Sequence, residues 1–286
     1  FVCAIDDALM EITHVLRGED HLNNTVKQIM ILEALDQRTP EFGHLSTILG
    51  PDKSKLSKRH GATSCDQYRQ MGILPEALLN FIALLGWSHP GGEETFSLEN
   101  LEKNFSSERL NASPAVFDET KLKWVNSVHL RALPNQELWN QIQPHLSEAG
   151  LGFDRSDEWK NNALELFKPY MEVLSDSVNL FAPLDDSRFQ VAEEAKEALS
   201  WESSKVVLQT WKDIVENHKS DALSEDDFAA AQTRIKSEAG VKGKHLFMPI
   251  RVAIIGKPHG AELKILVPLM TKQSLLERVN RALEGL

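Results

Sequence analysis

Residues 50–61 read Gly-Pro-Asp-Lys-Ser-Lys-Leu-Ser-Lys-Arg-His-Gly and place Lys53, Lys55, Lys58 and Arg59 within seven residues. Gly50-Pro51 ends whatever element precedes it. An apolar, strand-like run from His44 to Leu49 leads in, and a helical pattern leads out. A short basic loop at the end of a strand suits a triphosphate, because flexible ammonium groups can follow charge that moves during reaction. The plain alternative is a solvated basic turn.

What precedes the loop gives it a setting. Phe1–Ile5 is apolar and reads as a buried strand, Asp6-Asp7 makes a turn, and Ile12–Leu16 reads as a second strand. Arg17-Gly18-Glu19-Asp20-His21 follows, and Asn23-Asn24-Thr25 supply a helix cap. An amphipathic segment then runs to Leu35, with Val26, Ile29, Met30 and Glu33 at helical spacing. Strand, glycine-containing turn, helix and strand in that order imply a parallel sheet with ligands at the carboxyl ends of its strands. Arg17 also fits a surface turn, paired with the acids beside it.

At 286 residues the chain has room for two or three domains. Its net charge of −11, from 31 basic and 42 acidic residues, argues against a protein that coats nucleic acid, DNA included. The charge is uneven: residues 234–257 carry Arg234, Lys236, Lys242, Lys244, Arg251 and Lys257 against Glu238 alone, which suits one folded RNA. Cys3 and Cys65 are the only cysteines, no C-x-x-C or H-E-x-x-H occurs, and no structural metal is expected. That usage fits a reducing cytoplasm or organelle stroma. No run of eighteen apolar residues spans a membrane. Phe1 is not an initiator methionine, and the chain reads as cut from something longer.

Downstream, Pro75–Trp87 has proline in the first turn and glycine at the stop, with a core stripe at Leu78, Phe81, Ile82 and Leu85. Asp118 caps a helix carrying Lys121-Leu122-Lys123-Trp124-Val125-Asn126, with Trp124 as its core anchor and both lysines outward. After Leu133-Pro134 strand-like runs give way to helical patterns, so a domain boundary falls near 130–135 and the remainder is all-helical.

Lys55-Leu56-Ser57-Lys58-Arg59 resembles the second signature of class I aminoacyl-tRNA synthetases, usually written KMSKS. The longer run Ile48–Ala62 is similar to the glutamyl branch, bacterial or organellar type. Val2–Leu35, Leu74–Asn80 with Leu84–Trp87, Lys121–Asn126, and Gly240–Ile254 with His259–Leu263 resemble the same branch in the same order. The resemblance implies an α/β then all-α chain. Residues 1–60 would be the C-terminal part of a Rossmann-type catalytic domain, 61–133 a region touching the tRNA stem, and 134–286 a helical anticodon-binding domain. The implied activity is ATP-dependent attachment of L-glutamate to tRNA(Glu) through a glutamyl-adenylate, by a monomer, with Mg2+ arriving on ATP.

The resemblance also implies roles for particular residues. Lys55 and Lys58 hold the reacting phosphate, and Ser57 shapes the loop. Arg17 clamps the substrate carboxylate, a task suited to a guanidinium's paired hydrogen bonds. Cys3 falls on a strand beside the amino-acid pocket, although a small buried side chain explains it as well. Asp20 and His21 face the ATP ribose and adenine. Lys121, Lys123, Tyr170, Lys242, Lys244 and Arg251 face tRNA. Tyr170 stands where an arginine in the family restricts charging to glutamate tRNA, so tRNA(Gln) is also an expected partner. The first class I signature, His-Ile-Gly-His or a variant, is nowhere in the chain. A tRNA-binding fragment without turnover is therefore the alternative. A short relative that glutamylates a modified tRNA base is disfavoured by the long helical part.

Overall fold

The computed structural model describes residues 1–57, 64–111 and 113–285. The chain divides into two compact units, Phe1–Ala132 and Leu133–Leu286.

The first unit begins differently from the sequence expectation. Val2–Leu9 is a helix, α1, not a strand, and of its residues only Ala4 is buried. The reason is hydrogen bonding. A strand must share its N–H and C=O groups with a neighbour, whereas a helix satisfies them within the segment. Ala4 and Ala8, one helical turn apart, let α1 lie close to the next helix, α2 (Leu22–Ala34). Before α2 comes β1, His14–Gly18, and after it β2, Glu41–Leu45; the two pair in parallel, from His14 opposite Glu41 to Gly18 opposite Leu45. The expected strand, helix, strand order is therefore present, with two changes. The helix starts at Leu22, without a side-chain cap from Asn23, Asn24 or Thr25. Its buried face carries Thr25, Gln28 and Leu32, while Val26 and Met30 are 59% and 63% exposed.

Two residues outside any strand, Ser46-Thr47, split the expected run at 44–49, and a separate strand, β3 (Ile48–Leu49), leads into the lysine loop. It pairs in parallel with β4, Ala115–Val116. Between them lie α3 (Cys65–Met71), α4 (Pro75–Gly86) and α5 (Leu98–Asn104), and α6 (Glu119–Ala132) closes the unit. On α4 the core face is Ala77, Asn80, Phe81 and Leu85; Ile82 is 49% exposed, so the buried stripe is rotated toward Asn80. Asn80 explains the rotation: its Oδ1 accepts from Phe96 N–H and contacts His129 Nε2, both at 3.0 Å, and its amide donates to Glu94 O at 3.0 Å. Burial pushes the His129 imidazole pKa down, which favours the neutral ring in this cluster.

Asn126 pins α6 to the start of α4. Fully buried, it accepts the Leu74 N–H at 2.8 Å and donates to Gly72 O at 3.3 Å. Asn126→Ala leaves those backbone groups unmatched in the core and is expected to destabilise the unit by about 1–3 kcal/mol. Urea unfolding measures this, and a loss within error of zero would show that Asn126 is dispensable to the packing.

The second unit is helical: α7 (Asn135–Glu148), α8 (Asp157–Phe167), α9 (Asp176–Phe181), α10 (Lys196–Leu199), α11 (Ser204–Glu216), α12 (Glu225–Ala239), α13 (Lys244–Ile255), α14 (Leu263–Leu266) and α15 (Lys272–Glu284). Ser156, Ser224 and Thr271 cap α8, α12 and α15 through their hydroxyls. Phe181 centres one cluster, 4.8 Å from Phe167 and 5.8 Å from Trp139 between ring centroids. Trp211 on α11 anchors the other, fully buried against Phe228 at 5.7 Å. No described helix is long and apolar enough to cross a membrane.

Candidate functional site

The lysine loop is built as a tight return. Gly50 N–H donates to Ser54 O at 2.8 Å, Leu56 N–H to Ile48 O at 2.9 Å, and Lys53 adopts a left-handed φ of 61° at the tip. Asp52 Oδ1 accepts from the Ser54 N–H and hydroxyl at 2.9 and 2.8 Å. The return swings Lys55 back over the carboxyl end of β1. There its Nζ meets Asp20 Oδ2 at 2.7 Å, joining two groups 35 residues apart. The Lys55 hydrogen bond holds the Asp20 carboxyl below its usual pKa, which favours the carboxylate. Glu19 secures the entry to β3, accepting from Thr47 N–H at 3.1 Å and Thr47 Oγ1 at 3.0 Å. Ser57 is exposed at the end of the described loop; Lys58 lies outside the described residues.

Arg17, on β1, is half-buried and held from below. Its Nη2 donates to Thr25 Oγ1 at 2.6 Å and Gln28 Oε1 at 2.8 Å, and its guanidinium lies 5.3 Å from the Phe42 ring centroid. His44 Nε2 sits 2.8 Å from Thr25 Oγ1. Nε is buried without a hydrogen-bond partner among the described residues. This is not the arginine paired with neighbouring acids that a surface turn would show. It is a guanidinium braced by neutral groups, with no carboxylate paired to it among the described residues. Thr25, Gln28, Phe42 and His44 were missed at the sequence level; the available signal was two polar residues three apart on the face that an amphipathic helix buries. His21 is exposed, with Nδ1 3.3 Å from Asn24 Nδ2. Cys3 is exposed on α1, so it is neither on a strand nor a buried side chain.

The residues expected to face RNA separate into groups. Lys121 is tied to Glu94 at 2.5 Å and Lys123 to Glu119 at 3.1 Å. Trp124 is 43% exposed and is no core anchor; Leu122 and Val125 fill that role because the buried stripe of α6 runs through 122, 125, 126 and 130. In the second unit, Tyr170 and Arg251 line one cavity of about 830 Å³ although 81 residues separate them. Arg188, Lys257, His259 and Arg278 share its wall. Arg251 Nη1 donates to Gly260 O at 3.1 Å and Ala261 O at 2.9 Å, and burial lowers its pKa, with Glu262 opposing. Tyr170 is 59% exposed. Lys242 and Lys244 lie apart from the cavity, at the start of α13, where Lys244 Nζ sits 5.6 Å from the Trp201 ring centroid and His245 lies 4.5 Å from it.

Residues 1–124 match the family "tRNA synthetases class I (E and Q), catalytic domain", and residues 137–283 match "Anticodon binding domain". The chain belongs to the class I tRNA synthetases (E and Q). It is 52% identical over 283 residues to a glutamate–tRNA ligase of Bdellovibrio bacteriovorus, covering 99% of this chain and 58% of that protein. A glutamate–tRNA ligase of Natranaerobius thermophilus is 42% identical, with 99% and 59% covered. A crystal structure of a glutamate tRNA ligase from Elizabethkingia meningosepticum, in complex with its amino acid, superposes with a TM-score of 0.84 at 27% identity, covering 99% of this chain and 59% of that one. The chain thus spans under three fifths of the length of these synthetases. Within it, the α/β part carries the catalytic-domain match and the helical unit the anticodon-domain match.

Proposed function

We propose that the protein carrying this chain is a glutamate–tRNA ligase, and that the chain supplies three of its working parts. The placement of Lys55 carries the reading: the return after β3 brings it to the carboxyl end of β1, the strand that bears Arg17, where it lies 2.7 Å from Asp20. Lys55, with Lys58, stabilises charge on the reacting phosphate and the departing pyrophosphate of ATP, which brings Mg2+ with it. Ser57 shapes the loop, Asp20 and His21 face the ribose and adenine, and Arg17 receives the side-chain carboxylate of L-glutamate. Positioning and charge do the work, since adenylate formation asks for no protein nucleophile. The glutamyl group then passes to the terminal ribose of tRNA(Glu).

The cavity of the second unit takes bases of the anticodon, with Tyr170 and Arg251 among its readers. Lys121, Lys123, Lys242 and Lys244 contact the phosphate backbone, which positions RNA without reading its sequence. A tyrosine at 170 relaxes discrimination, so tRNA(Gln) is charged as well. The setting is cytoplasmic and the protein monomeric. A second reading concerns the chain by itself: because it spans only 58% of the length of the B. bacteriovorus relative, it binds tRNA without turning over.

The test is a hybrid enzyme in which this chain replaces the matching 283-residue region of the B. bacteriovorus ligase. It is expected to charge tRNA(Glu), and tRNA(Gln) at a reduced rate. A folded hybrid that charges neither would overturn the reading; one that charges tRNA(Glu) alone would remove the role given to Tyr170.

A further inference from the structure

On α15, Leu275, Val279 and Ala282 are buried at helical spacing, and Arg278 falls among them at 1% exposure. A guanidinium at that depth persists only with partners, because an unpaired buried charge is strongly unfavourable. Its Nε donates to Asp186 Oδ1 at 2.7 Å, and Nη1 donates to Pro183 O and Ile254 O, each at 2.7 Å. Nη2 lies 2.7 Å from Asp186 Oδ1, in a geometry that makes no hydrogen bond. The Phe189 ring lies beneath the guanidinium, 5.1 Å from its centroid. Asp186 Oδ1 also accepts from Ser274 Oγ at 2.5 Å.

These partners belong to three different pieces of backbone. Asp186 and Pro183 sit in the irregular segment between α9 and α10, Ile254 in the last turn of α13, and Arg278 on α15. Each piece supplies cavity wall: Pro183, Arg188 and Phe189 from the first, Arg251 and Ile255 from the second, and Arg278 itself from the third. Stability alone gives no reason for an arginine here. A well-packed apolar residue in place of a buried ion pair is often neutral or stabilising. What the guanidinium supplies is directional bonding, which fixes one spacing between backbone pieces that apolar packing would leave adjustable.

We propose that Arg278 is a positioning residue for tRNA reading: by joining the Pro183–Asp186 segment to the end of α13, it sets the spacing of Arg188 and Arg251 on the cavity wall. This rests on the reading of that cavity as the anticodon site. Arg278 acts through these neighbours.

The test compares the wild-type chain with Arg278→Met and Arg278→Lys. Affinity is measured by fluorescence anisotropy for a short RNA hairpin carrying the glutamate anticodon loop and for one carrying a scrambled loop. Arg278→Met leaves Asp186 and the Pro183 and Ile254 carbonyls without this donor, and is expected to melt below the wild type and to lose about tenfold in the ratio of the two affinities. Arg278→Lys keeps the charge but not the fork, and should fall between. A folded Arg278→Met chain with the wild-type ratio would overturn the proposal, and should that variant fail to fold, an unchanged ratio in Arg278→Lys would do the same. A wild-type chain that binds both hairpins equally would overturn the anticodon reading itself, and this proposal with it.

Discussion

Exchanging Lys55 for alanine is expected to slow glutamyl-adenylate formation in the hybrid enzyme by about 10²- to 10³-fold, the usual effect of removing one preorganised charge donor from a transition state. The same change should leave tRNA affinity within about twofold, because one exposed ammonium is a small part of a salt-dependent RNA contact. Folding should hardly respond. The Lys55–Asp20 pair has side chains 65% and 46% exposed, and ion pairs so exposed add little to stability. Rate and stability therefore separate cleanly. Single-turnover measurement of adenylate formation beside a thermal melt resolves them. An unchanged rate would remove the loop from the chemistry, and a parallel loss of melting temperature would make Lys55 a structural residue. Lys58→Ala carries the same expectation of a slowed first step with tRNA affinity kept.

Gly256→Ala is expected to be the most damaging single-methyl change in the helical unit. Gly256 ends α13 with a left-handed φ of 74° and hands its carbonyl to Ala192 N–H at 2.8 Å. A β-carbon there would lie 2.1 Å from Gln190 O and 3.0 Å from Gln190 C, both backbone atoms that cannot swing aside as a side-chain tip can. The left-handed backbone alone disfavours alanine by about 1 kcal/mol. Separating α13 from the Gln190 backbone adds more, for a total of about 3 kcal/mol. In a unit of this size that lowers the melting temperature by about 6–12 °C. Because Phe189 and Ile255 flank the clash and line the cavity, RNA selectivity should fall with stability. A melting temperature within 2 °C of wild type would show that the two segments part without strain.

These residues also show what a sequence can and cannot reveal. The lysine loop, the strand–helix–strand setting around Arg17 and the helical second unit were legible because each rests on local rules: turn chemistry, capping and apolar period. The Val2–Leu9 segment misled for a local reason too. Apolar residues at its start suit strand and helix alike, and the choice was made by where its backbone groups could bond. Trp124 misled because size suggested burial, while the helical period put Leu122 and Val125 inside. Contacts across long separations were the illegible part. Nothing in the local sequence ties Lys55 to Asp20, Arg17 to His44 by way of Thr25, or Tyr170 to Arg251 on one wall. Arg278 did leave a trace, as a charge on the apolar side of α15, but its partners 92 and 95 residues earlier could only come from the fold.

The most direct test of the central claim is amino-acid-dependent exchange of pyrophosphate into ATP by the hybrid enzyme, with tRNA present, comparing glutamate, glutamine and aspartate. With Arg17 receiving a carboxylate and Lys55 steadying the phosphate, exchange is expected with glutamate and at background level with glutamine. Exchange with glutamine, or none with glutamate from a folded hybrid that binds tRNA, would contradict the account.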